Sequence, residues 1–183
     1  MQNSADSPAG DEPGGREPWI RFALTFGALS IGSEALYYAV ALDSESFQVY
    51  LELLARISGS VLALFGSDAV VTGTRITSKL FSVEISQGCD AIQVCSLLAA
   101  AVIAFPVEFK RRMRGLILGI LLLQAFNLLR IISLYLIGAH YTNFFRSAHE
   151  VVWPGILITV TIAAWILWVR WETQPAQWID DEA

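Results

Sequence analysis

Residues 110–138 read KRRMRGLILGILLLQAFNLLRIISLYLIG, and this stretch decides what kind of molecule the chain makes. From Gly115 to Gly138 the only charge is Arg130. As a helix, such a run is long enough to cross a hydrocarbon core of about 30 Å. Lys110, Arg111, Arg112 and Arg114 precede it as the tightest basic cluster in the chain, the mark of a cytoplasmic loop. Working outward, Phe22–Leu42, Ala91–Val107 and Val151–Trp171 are apolar runs of similar kind. The 183 residues are 55% hydrophobic and 16% charged, against roughly 25% charged in a soluble domain. The chain therefore reads as an all-α integral membrane bundle.

Three segments are expected: an acidic, Pro/Gly-rich tail over 1–18 with no fixed structure, a membrane domain over 19–171, and an acidic cytoplasmic tail over 172–183. Because the acids concentrate in the tails, the net charge of −5 says little about partners. No nucleic-acid partner is expected. Ala39-Val40-Ala41 resembles a signal cleavage site, but the apolar run before it is too long for a signal peptide, so the first helix is read as a retained anchor.

About four spans with both termini inside satisfy Arg21, the 110–114 cluster and Arg170 together. Asp43–Gln87 and Ala139–Glu150 then face outward, which sets the site on the outer, periplasmic face of the cell (inner) membrane. Ser46–Phe65 is apolar but carries Gln48, Glu52, Arg56 and Ser60 as one polar stripe, with Glu52 and Arg56 spaced for an ion pair. It is read as a helix at the outer interface or dipping in with its stripe against protein, a fifth span being the alternative. Val71–Thr77 and Leu80–Ile85 are rich in β-branched residues, and Ser78-Lys79 suits a turn between them. A small outer β-hairpin is expected there, leading through Gly88 into Cys89 at the top of a helix.

Three chemistry-bearing residues fall near one end of these apolar helices: Cys89, Arg130 and His149. A thiol, a guanidinium and an imidazole are the parts of a cysteine acyl-transfer site, and each is costly beside lipid. Cys89 has polar flanks in Gln87, Gly88, Asp90 and Gln93, where a helix N-terminus favours a thiolate, and Asp90 suits a cap. Cys95 lies about 240° further round the helix among apolar residues and reads as packing. Asn127 is one turn before Arg130 on the same face. His149, opening the last helix, matches the depth of Cys89 better than His140, which suits an exposed loop. Glu150 would orient the imidazole or face water. Trp153, Trp165, Trp168 and Trp171 read mostly as interface anchors, and Gly115–Gly119 as a helix-packing element. No metal or cofactor motif is present, and none is expected.

Gly88-Cys89-Asp90-Ala91, then Asn127-Leu-Leu-Arg130, then His149 before an aromatic-rich last helix, resemble the exosortase/archaeosortase family over roughly residues 65–170. The small size, the Gly-Cys-Asp-Ala-Ile start and Phe105-Pro106 look most like its exosortase H branch, associated with IPTL-type sorting tails. The resemblance implies a membrane cysteine protease or transpeptidase with a Cys89–Arg130–His149 triad. Gly88, Asp90 and Asn127 would support the site or bind substrate. The implied partners are exported proteins ending in a short motif, a transmembrane helix and a basic cluster, beside the membrane lipid itself. Many family members have a Cys-Ser-Gly-like triplet where this chain has Cys89-Asp90-Ala91, and many carry more spans before the cysteine. Two other classes compete: a membrane thiol oxidoreductase using Cys89 and Cys95, and a non-catalytic assembly or transport subunit in which Arg130 only packs.

Overall fold

Long apolar segments away from water must satisfy their own main-chain groups, and a helix does so within one segment. The computed structural model describes residues 17–41 and 44–173. Helices α1 (Glu17–Ala41) and α2 (Glu45–Leu64) come first, then strands β1 (Val70–Thr72), β2 (Arg75–Thr77) and β3 (Ser82–Glu84). Helices α3 (Ile92–Ala104), α4 (Phe109–His140) and α5 (Thr142–Ser147) follow, and a π-helical turn, Ala148–Val152, runs into α6 (Trp153–Thr173). Glu17 and Pro18 already belong to α1, and Glu172 and Thr173 still belong to α6. The rest of both expected tails lies outside the described residues.

One end of the bundle collects the base of every apolar helix except α2. Glu172 of α6 lies 3.4 Å from Arg111 and 3.6 Å from Arg114, so the basic cluster meets the end of the chain's last helix. Phe22 of α1 packs on Trp165, and Phe105, just past α3, packs on Trp165 and Trp168. The expected run of tryptophan anchors is corrected here. Trp153 and Trp168 are buried, while Trp171 is exposed; an indole is large enough to fill inter-helix space where glycines leave it. Gly115 and Gly119 supply that space. A Cβ at Gly115 would collide with the Trp168 indole, and one at Gly119 with Leu98, so α4 approaches both α6 and α3 closely.

Three helices are long and apolar enough to cross a membrane by length and composition: Glu45–Leu64, Phe109–His140 and the continuous Thr142–Thr173. This set differs from the expected spans in three places: Glu45–Leu64 meets the length and composition of the fifth-span alternative, while the Ala91–Val107 and Phe22–Leu42 runs do not. The Ala91–Val107 run yields a helix of only 13 residues, about 20 Å long. Asp90 Oδ1 caps it by accepting the Ile92 N–H at 2.7 Å, and Phe105 is extended, as a residue before proline prefers. The run from Phe22 is helical to Ala41 but carries Glu34, which dilutes its hydropathy.

Helix α2 runs beside the second half of α4. Gln124 donates to the Tyr50 hydroxyl at 2.8 Å, and Tyr135 lies 3.5 Å from Ser67, so both chains advance in the same direction. Leu51, Leu54, Ala55, Ser58 and Leu62 face the core. The Glu52–Arg56 pair forms at 3.3 Å, but its stripe points away from protein, with the Arg56 side chain 71% exposed. The stripe does not pack inward because the small and apolar residues of α2 already occupy that face.

Instead of one hairpin there is a three-stranded antiparallel meander, ordered β1-β2-β3. The expected first strand is itself folded in two at Gly73. Thr72 pairs with Arg75 across Gly73-Thr74. Gly73 has φ +60°, and no other residue of that turn has a positive φ; this is the pattern of a type II′ hairpin turn. Phe81, beside β3, covers Gly138 of α4.

The close approach at Gly115 generates a test. Gly115→Leu should lower thermal stability in detergent by about 1–3 kcal/mol through overpacking against Trp168. Gly27→Leu, at a site open to 4 Å, should leave it nearly unchanged. Equal melting temperatures for the two variants would contradict this packing.

Candidate active site

The site is built on a turn with one hydrogen bond between its own main-chain groups. Cys89 closes the turn from Ser86 with a 3.0 Å N–H bond to the Ser86 carbonyl. Gly88 has φ +87° and Ala91 has φ +59°. The left-handed conformation costs a residue with a Cβ about 1 kcal/mol. Ala91 breaks the helical path before α3 starts at Ile92, so Cys89 lies ahead of the helix and not at its top. The helix N-terminus acts instead on Asp90, whose carboxylate takes the Ile92 N–H.

Side chains from three helices hold this turn. Arg130 Nη1 donates to the Gly88 carbonyl at 3.1 Å, and Asn127 Nδ2 to the Cys89 carbonyl at 3.0 Å. One helical turn of α4 thus serves two consecutive carbonyls, which explains why these polar residues share a face. The Asp90 carbonyl accepts from the Tyr50 hydroxyl at 2.9 Å and from Gln124 at 3.4 Å. The Asp90 side chain is fully buried. Its Oδ2 accepts the Tyr37 hydroxyl at 2.6 Å and the Gly88 N–H at 3.1 Å. Buried carboxylates need such donors, because desolvation without them costs several kcal/mol, on the order of the figures for unpaired ions.

His149 comes to the thiol from the π-helical turn. Its Nε2 lies 3.7 Å from Cys89 Sγ. The turn is marked by the Trp153 N–H reaching back to the Ala148 carbonyl, five residues earlier. Pro154 has no N–H to give, which leaves the ladder free to widen at this point. Phe145 stacks on the imidazole with centroids 5.8 Å apart and planes 10° from parallel. The two expected roles of Glu150 resolve to the solvent one, since it pairs with Arg146 at 3.1 Å. His140 is exposed on the last turn of α4, with Nδ1 3.0 Å from the Leu136 carbonyl. It sits on a helix and not in a loop.

Arg130 is 5% exposed and makes no ion pair among the described residues. Its Nε and Asn127 Oδ1 are buried with no hydrogen-bond partner. Cys95 is buried and Cys89 half-buried, and both are free thiols. Cys95 packs with Leu98, Val102, Leu123 and Trp168, whereas Cys89 packs against the cluster of Tyr37, Leu51 and Ile131. Among the described residues no group of three metal-ligating side chains is gathered.

The sequence-based candidates Gly88, Cys89, Asp90, Asn127, Arg130 and His149 therefore meet around one turn. Three residues were missed: Tyr37, Tyr50 and Gln124. Gln124 had a signal, being a polar residue one turn before Asn127 inside an apolar run. The two tyrosines had none, because tyrosine near the end of an apolar helix is ordinary at a membrane interface.

The arrangement offers a thiol next to a proton acceptor, with an unpaired cation anchored to the same turn. The family model described as transmembrane exosortase (Exosortase_EpsH) matches residues 13–168. Comparison with curated proteins gives no match, and neither does comparison with solved structures. The match covers most of the chain, from α1 to α6, and includes every residue of the turn and its clamps; the protein belongs to the transmembrane exosortase family.

Proposed function

We propose that this chain is a membrane cysteine protease or transpeptidase that cleaves the C-terminal sorting tail of exported proteins through a thioacyl-enzyme. The observation that carries the reading is the 3.7 Å approach of Cys89 Sγ to His149 Nε2 on a turn clamped by Arg130. His149 takes the thiol proton as Sγ attacks the scissile carbonyl, and the carbonyl carbon gains the sulfur. When the C–N bond breaks, the same proton passes from His149 to the leaving amine. Arg130 donates to the oxyanion while holding Gly88; with no carboxylate paired to it among the described residues, its charge is available to the developing negative oxygen. Water or an acceptor amine then attacks the thioester and regenerates the thiol.

The substrate enters from the lipid with its short motif at the outer face, and the likeness to the exosortase H branch makes an IPTL-type tail the first candidate. In this arrangement α1, α4 and α6 cross the membrane with the short α3 packed among them, and α2 and the sheet stand at its outer face. The exposed Arg56 stripe supports that assignment of α2, since a spanning α2 would turn this cation to lipid at a cost of several kcal/mol, roughly 2.5 or more. A thiol oxidoreductase has less support, because Cys95 packs in a different cluster from Cys89.

The sheet supplies a place for the motif. Ile85 donates to Thr74, and Ser78 to Phe81, so the alternating residues Ser82 and Glu84 turn their main-chain groups to the free edge of β3. An extended motif pairing there would lie beside the chain that leads into Cys89.

Cleavage of a reporter with an IPTL-type tail, followed by release of its C-terminal fragment, tests the reading. Cys89→Ala should abolish release and His149→Ala should be nearly as severe, while Cys95→Ala should keep activity. Arg130→Lys should lose about 10²–10³-fold, because an ammonium lacks the planar fork of donors. Normal release by Cys89→Ala would overturn the proposal. For the edge, Glu84→Pro should raise KM about tenfold, since it removes an outward N–H, a loss of the size of one hydrogen bond to a charged or well-placed partner. Glu84→Ala keeps that N–H and should behave as the parent. Equal KM for both would remove β3 from recognition.

A further inference from the structure

We infer that Tyr37 is a positioning residue for the Cys89 nucleophile, acting from α1 through its hydroxyl. The inference rests on the cysteine reading above and adds to it the group that fixes where the thiol stands. The Tyr37 hydroxyl is placed between two parts of one turn. It donates to Asp90 Oδ2 at 2.6 Å and accepts the Gly88 N–H at 3.1 Å. Gly88 and Asp90 are the two neighbours of Cys89, so a single atom ties both sides of the nucleophile to α1. One turn earlier on α1, Glu34 accepts from Gln93 at 2.6 Å, which pins the first turn of α3 to the same helix.

The turn depends on this hold. Its own main chain contributes one hydrogen bond, from Cys89 N–H to the Ser86 carbonyl. Its left-handed Ala91, which carries a Cβ, would relax if its neighbours let it. The carbonyls are held by Arg130, Asn127, Tyr50 and Gln124, all of which approach from α2 and α4. On the opposite side only Tyr37 reaches Gly88 and Asp90 from another element among the described residues. Removing its hydroxyl leaves Asp90 Oδ2 with the Gly88 N–H alone, and lets the turn rotate about its α4 contacts. The group that moves is Cys89 Sγ, whose place against His149 depends on the turn. Substrate contacts at β3 are outside this motion.

Tyr37→Phe tests the idea, because it keeps the ring packed on Phe47 and removes one oxygen. In the tail-cleavage assay kcat should fall about tenfold with KM within twofold. A second readout needs no cleavage. In a Cys95→Ser background, alkylation of Cys89 by iodoacetamide at pH 7 should slow about tenfold, and at pH 10, where thiols ionise unaided, it should match the parent. Tyr38→Phe removes a hydroxyl from the exposed neighbouring position and should change neither readout. Asp90→Asn combined with Tyr37→Phe should add little to either change alone. Unchanged kcat and unchanged alkylation at pH 7 in Tyr37→Phe would overturn the inference. Equal slowing at both pH values would also overturn it, as general loosening of the fold. If Cys89→Ala cleaves normally, the cysteine reading fails by itself, and the alkylation arm still decides whether Tyr37 sets the thiol.

Discussion

The burial of Asp90 governs the rest of the site. A carboxylate with no exposed surface has to be met by donors, and here they are the Tyr37 hydroxyl, the Gly88 N–H and the Ile92 N–H. Meeting those donors forces the chain through a left-handed Ala91 and a left-handed Gly88. That path lifts Cys89 off the helix and turns its side chain toward His149. It also leaves three consecutive carbonyls facing α4 and α2, where Arg130, Asn127, Tyr50 and Gln124 answer them. Gln124, Asn127 and Arg130, the polar residues in the middle of the otherwise apolar α4, are thus accounted for by one turn.

The membrane setting explains why so many side chains serve so short a segment. In a low-dielectric surrounding an unmet main-chain group is costly, and irregular backbone persists only where protein covers it. The bundle below the turn is packed from α1, α3, α4 and α6, with glycines at 115 and 119 admitting Trp168 and Leu98. Above it, α2 and the sheet form a roof fixed to the second half of α4 through Tyr135, Gly138 and Phe81. The turn lies at the boundary between these layers. Arg130, which makes no ion pair among the described residues, has its guanidinium held there by the Gly88 carbonyl.

Much of this was legible in the residues. Hydropathy located the helices, and the 110–114 cluster marked the end where Glu172 and Arg170 gather. The polar flanks of Cys89 and the Asn127–Arg130 spacing pointed to one site, and the two α4 residues do reach consecutive carbonyls of its turn. What could not be read was tertiary. Ala91 gives no sign in sequence of a left-handed conformation, so Cys89 was expected on the helix. Gly73 sits inside a run of β-branched residues, and only the pairing register reveals that it folds that run in two. Trp168 looks like an interface anchor until Gly115 opposite it is seen, and Trp153 until it is found packed with Leu134 and Ala148. Tyr37 and Tyr50 hold the site by contacts 40 or more residues away along the chain, which no local pattern encodes.

The most direct test of the account is the identity of the atom that carries the acyl group. Membranes containing this protein and the tail-bearing reporter should be quenched in acid, digested, and mapped by mass spectrometry for a reporter-derived acyl adduct. The predicted result is a hydroxylamine-sensitive thioester on Cys89 and nowhere else. A reporter adduct on another residue, or full turnover with Cys89 never acylated under single-turnover conditions, would contradict it.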